Sequence, residues 1–410
     1  MSYILPALQI LNYSGGWQAA RLSLNGTTDD RRMNMTTDCA LDWKQTLAEL
    51  GPAFAERAAA YDSSDGFIAE NYAEMRQAKL FSALVPEELG GGGLSYSEMC
   101  ALIRGLGRCC GSTALTFSMH QHLLAAALWN YRHGKPGEKL LRAVAGGQKI
   151  LVSTGATDWL TSNGTLERCE SGYRFSARKV FASGCLAGDL LITSGQYDDP
   201  AAGRQVLHFP VSLAAEGVRI DRVWETMGMR GTGSHTVILD HVFIPEETIA
   251  LRRPCGKYHP VWNVILTVAL PLICAAYVGV AEAAAEKARA GAARKGDGGV
   301  TAILIGEMEN ELATAQIALE SMIANVNDLD VEPGIEHANR SLIRKTIVTE
   351  AITRTAEKAL EATGGSGYFR ASGLERILRD AHAAQFHPMQ PKKQQLFTGR
   401  FVLGLDPAAS

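Results

Sequence analysis

The sequence predicts an α+β chain of several domains, laid out as a helical segment, a β segment and a second helical segment. Two changes of texture, separating three segments, carry this reading. From Leu41 to about Ala145 apolar residues recur at helical spacing with few β-branched residues. From about Lys149 to Pro245 the apolar runs shorten and are bounded by Gly, Asn, Asp and Pro. Beyond Pro245 long helical patterns return. At 410 residues the chain has room for two or three domains. The boundaries fall as an N-terminal extension over 1–38, an α-helical N-terminal domain over 39–148, an antiparallel β middle domain over 149–247 and a C-terminal helical bundle over 248–410.

In the extension, the apolar run Ile4 to Leu11 is short, contains Pro6 and has no basic residue before it, so a secretory signal is not expected. Met33 and Met35 are candidate alternative starts. Trp43, Leu47 and Leu50 mark the first helix, and Tyr96 to Trp129 reads as a long stretch of helix. Between them Val85-Pro86-Glu87-Glu88-Leu89 runs into Gly90 to Gly93, but no Gly-Lys-Ser/Thr follows, so a permissive turn is expected rather than a phosphate loop. Strands are read at Ile150–Ser153, Tyr173–Ala177, Leu190–Thr193, Gln205–Phe209 and Thr236–Phe243. Helices follow at roughly 261–294, 301–328, 337–363 and 372–387, the third ending at Gly364-Gly365, where glycine can take a left-handed cap. His259 to Ala281 carries no formal charge and is long enough to cross a membrane. It contains Pro271 and Asn263 and continues into Glu282 to Lys287, so the central helix of a bundle is the expectation.

Composition narrows the function classes. Lys and Arg total 40 against 43 Asp and Glu, a net charge of −3, so there is no basic field to attract nucleic acid or an anionic membrane. The 46% hydrophobic and 20% charged residues exclude wholesale disorder. The eight cysteines (39, 100, 109, 110, 169, 185, 255 and 274) form no C-x-x-C pair, which argues against a zinc or dithiol site and suits reduced thiols in a cytoplasmic protein. No H-E-x-x-H and no G-x-S-x-G occurs, so neither a metal site nor a serine hydrolase is indicated.

Four motifs, in this order and at these intervals, resemble the acyl-CoA dehydrogenase superfamily. They are Val85-Pro-Glu-Glu-Leu-Gly-Gly, Phe181-Ala-Ser-Gly184, Met227-Gly-Met-Arg230-Gly-Thr-Gly-Ser234, and Thr363-Gly-Gly-Ser-Gly-Tyr368 followed by Leu374-Glu-Arg-Ile-Leu-Arg-Asp380-Ala. The resemblance covers about residues 45 to 405. It implies an α-helical N-terminal domain, a β middle domain and a C-terminal four-helix bundle. It also implies a bound FAD, or a reduced FMN supplied by a reductase, between the middle domain and the bundle. Carried over by motif, Ser153 and Thr154 within Val152-Ser-Thr-Gly155 supply a hydroxyl and backbone groups near the flavin N5 and pyrimidine edge. Phe181 takes the place of a tryptophan on the ring, and Ser183 that of a threonine hydroxyl. Gly364, Gly365 and Gly367 resemble the segment that approaches the cofactor diphosphate across a subunit boundary, glycine being needed because a Cβ would block the backbone. Arg294 or Lys295 stands where a cation serves the partner's cofactor, although the aromatic expected soon after is missing from Gly296-Asp-Gly-Gly299. A homotetramer or homodimer, with an electron acceptor or a flavin reductase as partner, is implied.

The resemblance breaks at the general base. Removing an α-proton from an acyl thioester requires a positioned base, in most relatives a glutamate soon after the Arg-Asp-Ala segment. Here Arg379-Asp-Ala-His382-Ala-Ala-Gln-Phe-His387-Pro388 puts proline at that place, no acid occurs between Ala381 and Leu405, and His259 to Ala281 holds no carboxylate either. Two enzymatic readings follow. One is an FAD-dependent α,β-dehydrogenation of an acyl-CoA, a carrier-bound acyl group or a similarly activated small molecule, with hydride transfer to flavin N5. The other is a flavin monooxygenase of the same fold using a C4a-hydroperoxide, with His387, His382 and His120 as hydrogen-bonding groups. A third reading is a non-catalytic helical assembly protein. His120 and His122 lie about 200° apart around a helix, so they do not act together.

Overall fold

The computed structural model describes residues 41–154, 160–295 and 299–408; Cys39, Met33, Met35 and Gly155 lie outside them. The helical N-terminal segment contains α1 (Trp43–Ser64), α2 (Ala69–Gln77), α3 (Tyr96–Cys109), α4 (Gly111–Arg132) and α5 (Glu138–Gly147). Asp42 caps α1 by accepting from the amides of Lys44 and Gln45, and Ser95 with Glu98 closes a capping box at α3. The single stretch expected from Tyr96 to Trp129 is broken at Cys110, which is extended (φ −150°, ψ 107°), so α3 and α4 leave it in different directions. The Gly90–Gly93 segment is a turn folded back on its own approach, the Gly93 amide donating to the Val85 carbonyl at 2.9 Å.

The middle segment is one sheet with strands β1 (Leu151–Ser153), β2 (Thr165–Cys169), β3 (Gly172–Lys179), β4 (Leu190–Asp199), β5 (Gly203–Ser212), β6 (Val218–Asp221), β7 (Thr236–Pro245) and β8 (Leu251–Pro254). Their order is β6-β7-β3-β2-β4-β5-β8, with β1 beside β4. The expectation of an antiparallel domain needs correction, because β1 runs parallel to β4 and β2 makes one parallel bridge to it, which makes the sheet mixed. Alternation within a strand says which face is buried but not which neighbour it pairs with. Pairing of β8 with β5 carries the sheet to Pro254. Phe175, Phe209, Val152 and Val237 fill its core.

Three long helices follow, α6 (Val261–Lys295), α7 (Gly299–Val326) and α8 (Ile335–Thr363), then the shorter α9 (Leu374–His382) and α10 (Pro391–Val402). The helix expected over 372–387 ends at His382 and continues as a 3₁₀ turn to Phe386; α10, begun by Pro391 in its first turn, had no counterpart in the sequence reading. Helix α6 is apolar and long enough to cross a membrane, yet 94% of its most apolar window is buried inside the protein, as a bundle core helix requires.

Helix α6 also joins the bundle to the N-terminal helices. It crosses α3 at Gly279 and Gly107, where a Cβ on Gly279 would lie 2.1 Å from the Arg104 carbonyl oxygen and one on Gly107 would lie 2.3 Å from the Ala276 carbonyl oxygen. Two ion pairs, Arg104–Glu282 and Arg108–Glu286, flank the crossing one helical turn apart. Because backbone opposes backbone here, neither side can give way. Gly279→Ala is therefore expected to lower the unfolding free energy by about 2 kcal/mol, read from the urea midpoint, with circular dichroism at room temperature unchanged.

Candidate active site

The middle segment presents one wall of a cleft. Phe181 holds a left-handed backbone (φ 56°) and turns its ring outward, 58% exposed. Trp224 supports it edge-on at 6.0 Å, and Trp224 is itself fixed by its amide donating to His235 Nδ1 at 3.1 Å. Val180, Val223 and Met227 are exposed apolar residues of the same segment. Beside this wall stand short hydroxyls. Thr154 Oγ1 donates to Thr193 Oγ1 at 2.8 Å, Ser153 Oγ lies 3.9 Å from Met119 Sδ on α4, and Ser183 Oγ lies 2.7 Å from Ser234 Oγ. A flat apolar face edged by hydroxyls fits an isoalloxazine ring, whose faces are apolar and whose edges carry nitrogen and oxygen.

Helix α4 supplies the neighbouring wall, and here one sequence expectation is corrected. His120 is fully buried, and both ring nitrogens are engaged: Nε2–H donates to the Phe81 carbonyl at 2.7 Å, and Nδ1 accepts from the Leu151 amide at 2.9 Å. Burial pushes its pKa down to about 4. It pins β1 to α4 and has no nitrogen left for a reacting group. His122, three residues beyond Met119 and on the same face of α4, is the histidine that meets the site. Its Nδ1–H donates to the Ser118 carbonyl at 3.3 Å, leaving Nε2 as an acceptor, and burial brings its pKa to about 4.

His387, in the turn after α9, comes near enough to His122 for the two rings to act on each other electrostatically. Its ring packs edge-on against Tyr277 of α6 at 5.4 Å. Its main-chain carbonyl accepts from Lys345 Nζ at 3.0 Å, and the same ammonium reaches the Met389 carbonyl at 3.2 Å. Burial first, then the charges of Lys345 and His122, lowers the His387 pKa to about 3. Burial likewise draws Lys345 down to about 8. The Tyr277 hydroxyl is buried with no hydrogen-bond partner among the described residues. His382 does not join this group: its Nε2 points to Glu357 of α8 at 3.9 Å, so its candidacy is also corrected.

The glycine segment lies elsewhere on the bundle. Gly364 has φ 65° but ψ −151°, which is not the expected left-handed cap, though it is still a conformation for glycine. Gly364 and Gly365 are exposed, Gly367 is buried, and nothing lies within 4 Å of a Cβ placed on Gly365. A Cβ on Gly291 of α6 would sit 3.7 Å from Thr363, so the end of α6 bearing the exposed Arg294 adjoins the glycine segment. The Lys295 side chain is outside the described residues. Gly291 is fourteen residues beyond Tyr277, about 20 Å along the helix. Within one chain, then, Arg294 and Gly364–Gly367 lie about 20 Å along α6 from the Tyr277 and His387 contact.

Fold and cleft together define a flavin-binding oxidoreductase scaffold. The N-terminal-domain profile of the acyl-CoA dehydrogenases matches residues 46–148 and their C-terminal-domain profile matches residues 271–391. The chain belongs to the acyl-CoA dehydrogenase family of flavin-dependent oxidoreductases. An L-evernosamine nitrososynthase of Micromonospora sp. is 28% identical over 369 residues, covering 84% of this chain and 85% of that protein. A putative acyl-CoA dehydrogenase, YdbM of Bacillus subtilis, is 26% identical over 372 residues, covering 84% and 92%. The solved structure of KijD3 in complex with FMN and dTDP-3-amino-2,3,6-trideoxy-4-keto-3-methyl-D-glucose superimposes with a TM-score of 0.80 at 25% identity, covering 90% of this chain and 95% of that one.

Sequence reasoning missed His122, Lys345, Tyr277 and Ser234. Helical spacing separates His120 from His122, but α4 is buried on most of its circumference, so no polar face marks which of the two meets the cleft.

The buried neutral histidines make stability depend on pH. His120, His122 and His387 titrate at about 4, 4 and 3 in the folded protein, below the ordinary value of 6.5. Between those limits the unfolded chain holds more protons, so acidification removes stability. Asp380, raised by burial to about 6, opposes this with a single proton. Urea unfolding is expected to show stability falling as pH drops from 6.5 towards 4.5. His120→Gln should flatten that slope by about 1.4 kcal/mol per pH unit.

Proposed function

We propose that this protein is a flavin-dependent monooxygenase that takes reduced FMN or FAD from a reductase and oxygenates a small organic substrate. The observation that carries the reading is the pairing of two neutral imidazoles, His122 and His387, where a dehydrogenase of this family needs a carboxylate. Asp380, the buried acid nearest in sequence to His387, is committed to the Met229 amide at 2.5 Å and cannot serve as a free base. The nitrososynthase among the relatives and the FMN complex among the solved structures support the same reading.

Reduced flavin, when bound, supplies the oxygen-activating chemistry. The chain's own part follows from its groups. Phe181, Val180, Val223 and Met227 exclude water from one face, and Ser153, Thr154 and Ser183 orient the polar edge. His122 Nε2 and the His387 ring, neutral at neutral pH, would offer hydrogen bonds to the reacting groups. We also propose a homodimer or homotetramer, because the Arg294 and Gly364–Gly367 group stands about 20 Å along α6 from Tyr277 and His387, so that one flavin would use the first group from a partner.

With a reductase, NADH and O₂, the purified protein is expected to form an oxygenated product, and His387→Ala should raise hydrogen peroxide per O₂ consumed by roughly tenfold or more. Complete bleaching of bound oxidised flavin by a saturated acyl-CoA would instead establish the dehydrogenase. A preparation that binds no flavin would leave only an assembly role.

A further inference from the structure

Lys345 of α8 is a buried cation with no anion beside it. It is 2% exposed, and no carboxylate among the described residues acts on its ammonium, which donates instead to the His387 carbonyl at 3.0 Å and the Met389 carbonyl at 3.2 Å. Burying an ammonium in this way costs stability.

The two carbonyls stand on either side of Pro388, in the turn between α9 and α10. Pro388 has no N–H to give, and the His387 amide meets the Ala384 carbonyl at 3.3 Å, beyond the usual range for such a bond. The main chain holds itself weakly here, and α8 supplies the grip from outside. Lys345 takes the turn, while Thr346 beside it donates to Gln394 Oε1 of α10 at 2.8 Å. Gln394 donates in turn to Thr398, and Thr398 to Asn339 Oδ1 of α8, at 2.7 Å each. An ammonium suits the inner position because it offers three donors and no acceptor. A glutamine amide in its place would bring an oxygen that needs a donor of its own.

We propose that Lys345 is a positioning residue for His387, acting by clamping the carbonyls before and after Pro388. The inference rests on the oxygenase role of His387 proposed above. The imidazole itself meets Tyr277 edge-on at 5.4 Å, a contact of two rings without a directed bond. Remove the clamp, and that contact and the long bond to Ala384 are left to hold His387 in place. Lys345 thus reaches the reacting groups through His387 and is not itself a catalytic residue.

Two variants and two readouts test this. Lys345→Met keeps the length of the side chain and removes its donors, whereas Lys345→Gln keeps two N–H donors on a shorter stem. In the flavin-free protein, amide hydrogen exchange over residues 384–394 is expected to quicken by about tenfold or more in Lys345→Met and by less in Lys345→Gln, with α6 and α8 exchanging as in the wild type. With a reductase, NADH and O₂, Lys345→Met should raise hydrogen peroxide per O₂ consumed to within about twofold of His387→Ala, with wild-type affinity for flavin. The double variant Lys345→Met, His387→Ala should leak no more than His387→Ala alone, because both changes remove one function. Exchange of the 384–394 segment that neither variant alters, or peroxide release in the double variant well above that of His387→Ala, overturns the proposal. Faster exchange of that segment together with a His387→Ala that releases no extra peroxide supports the clamp and overturns the oxygenase role of His387 instead.

Discussion

The site depends on one turn of α9, because that turn fixes the loop beside both Trp224, which supports Phe181, and Ser234, which meets Ser183. Arg379 donates to both oxygens of Asp62 on α1, at 2.9 and 2.6 Å, and to the Met227 carbonyl at 2.6 Å. Asp380, its neighbour, accepts the Met229 amide. Three separate parts of the chain, α1, the 226–230 loop and α9, thus meet at two consecutive side chains. A half-buried bidentate pair of this kind owes its stability to geometry, since loss of either partner strands a charge away from water. The carboxylates of Asp62 and Glu375 hold Arg379 well above the ordinary arginine range. Arg230, from the same loop, donates to the Thr226 carbonyl at 2.8 Å and sits 3.5 Å from Asp65, so the loop is gripped at both ends.

With the loop held, the electrostatics of the cleft follow from what surrounds the imidazoles. His387 has Tyr277 on α6, Lys345 on α8 and His122 on α4 around it, and none of the three offers a negative charge. Lys345 itself is 2% exposed and bonded to carbonyl dipoles. A buried ammonium bonded this way remains a cation to which protonated His387 would be a repelled neighbour. The same contact that fixes the His387 backbone therefore adds to the burial that keeps its ring neutral. A dehydrogenase base would need the opposite environment, one in which a carboxylate can lose its proton and regain it.

How much of this was legible in the sequence depended on the physical range of each signal. Periodicity and turn residues act over a few positions, and they placed the strands at Leu190 and Thr236 and the helices α6, α7 and α8 closely. The break at Cys110 and the separate helix α10 escaped because neither is announced by composition. Parallel pairing of β1 with β4 joins residues far apart in sequence, where local pattern carries no information. The same limit explains the site. Phe181, Ser183 and Ser153 could be named as candidates because they lie within short motifs. His122 and Lys345 were not, because what brings them to His387 is the packing of α4, α8 and the turn after α9.

His120 shows why the residue type alone misleads. A histidine on an apolar helix beside the first strand of the middle segment reads as a reactive group, and it is instead the most fully satisfied side chain of the site. Its two nitrogens join the carbonyl of Phe81 to the amide of Leu151, two backbone groups of the buried interior. Only a neutral imidazole can donate from one nitrogen and accept at the other, so the low pKa of His120 is a condition of the join between α4 and β1. That join in turn places Met119 against Ser153 and sets His122 one turn further along, opposite His387. Two chemically identical side chains two residues apart thus divide the work, one holding the strand in place and the other facing the cleft.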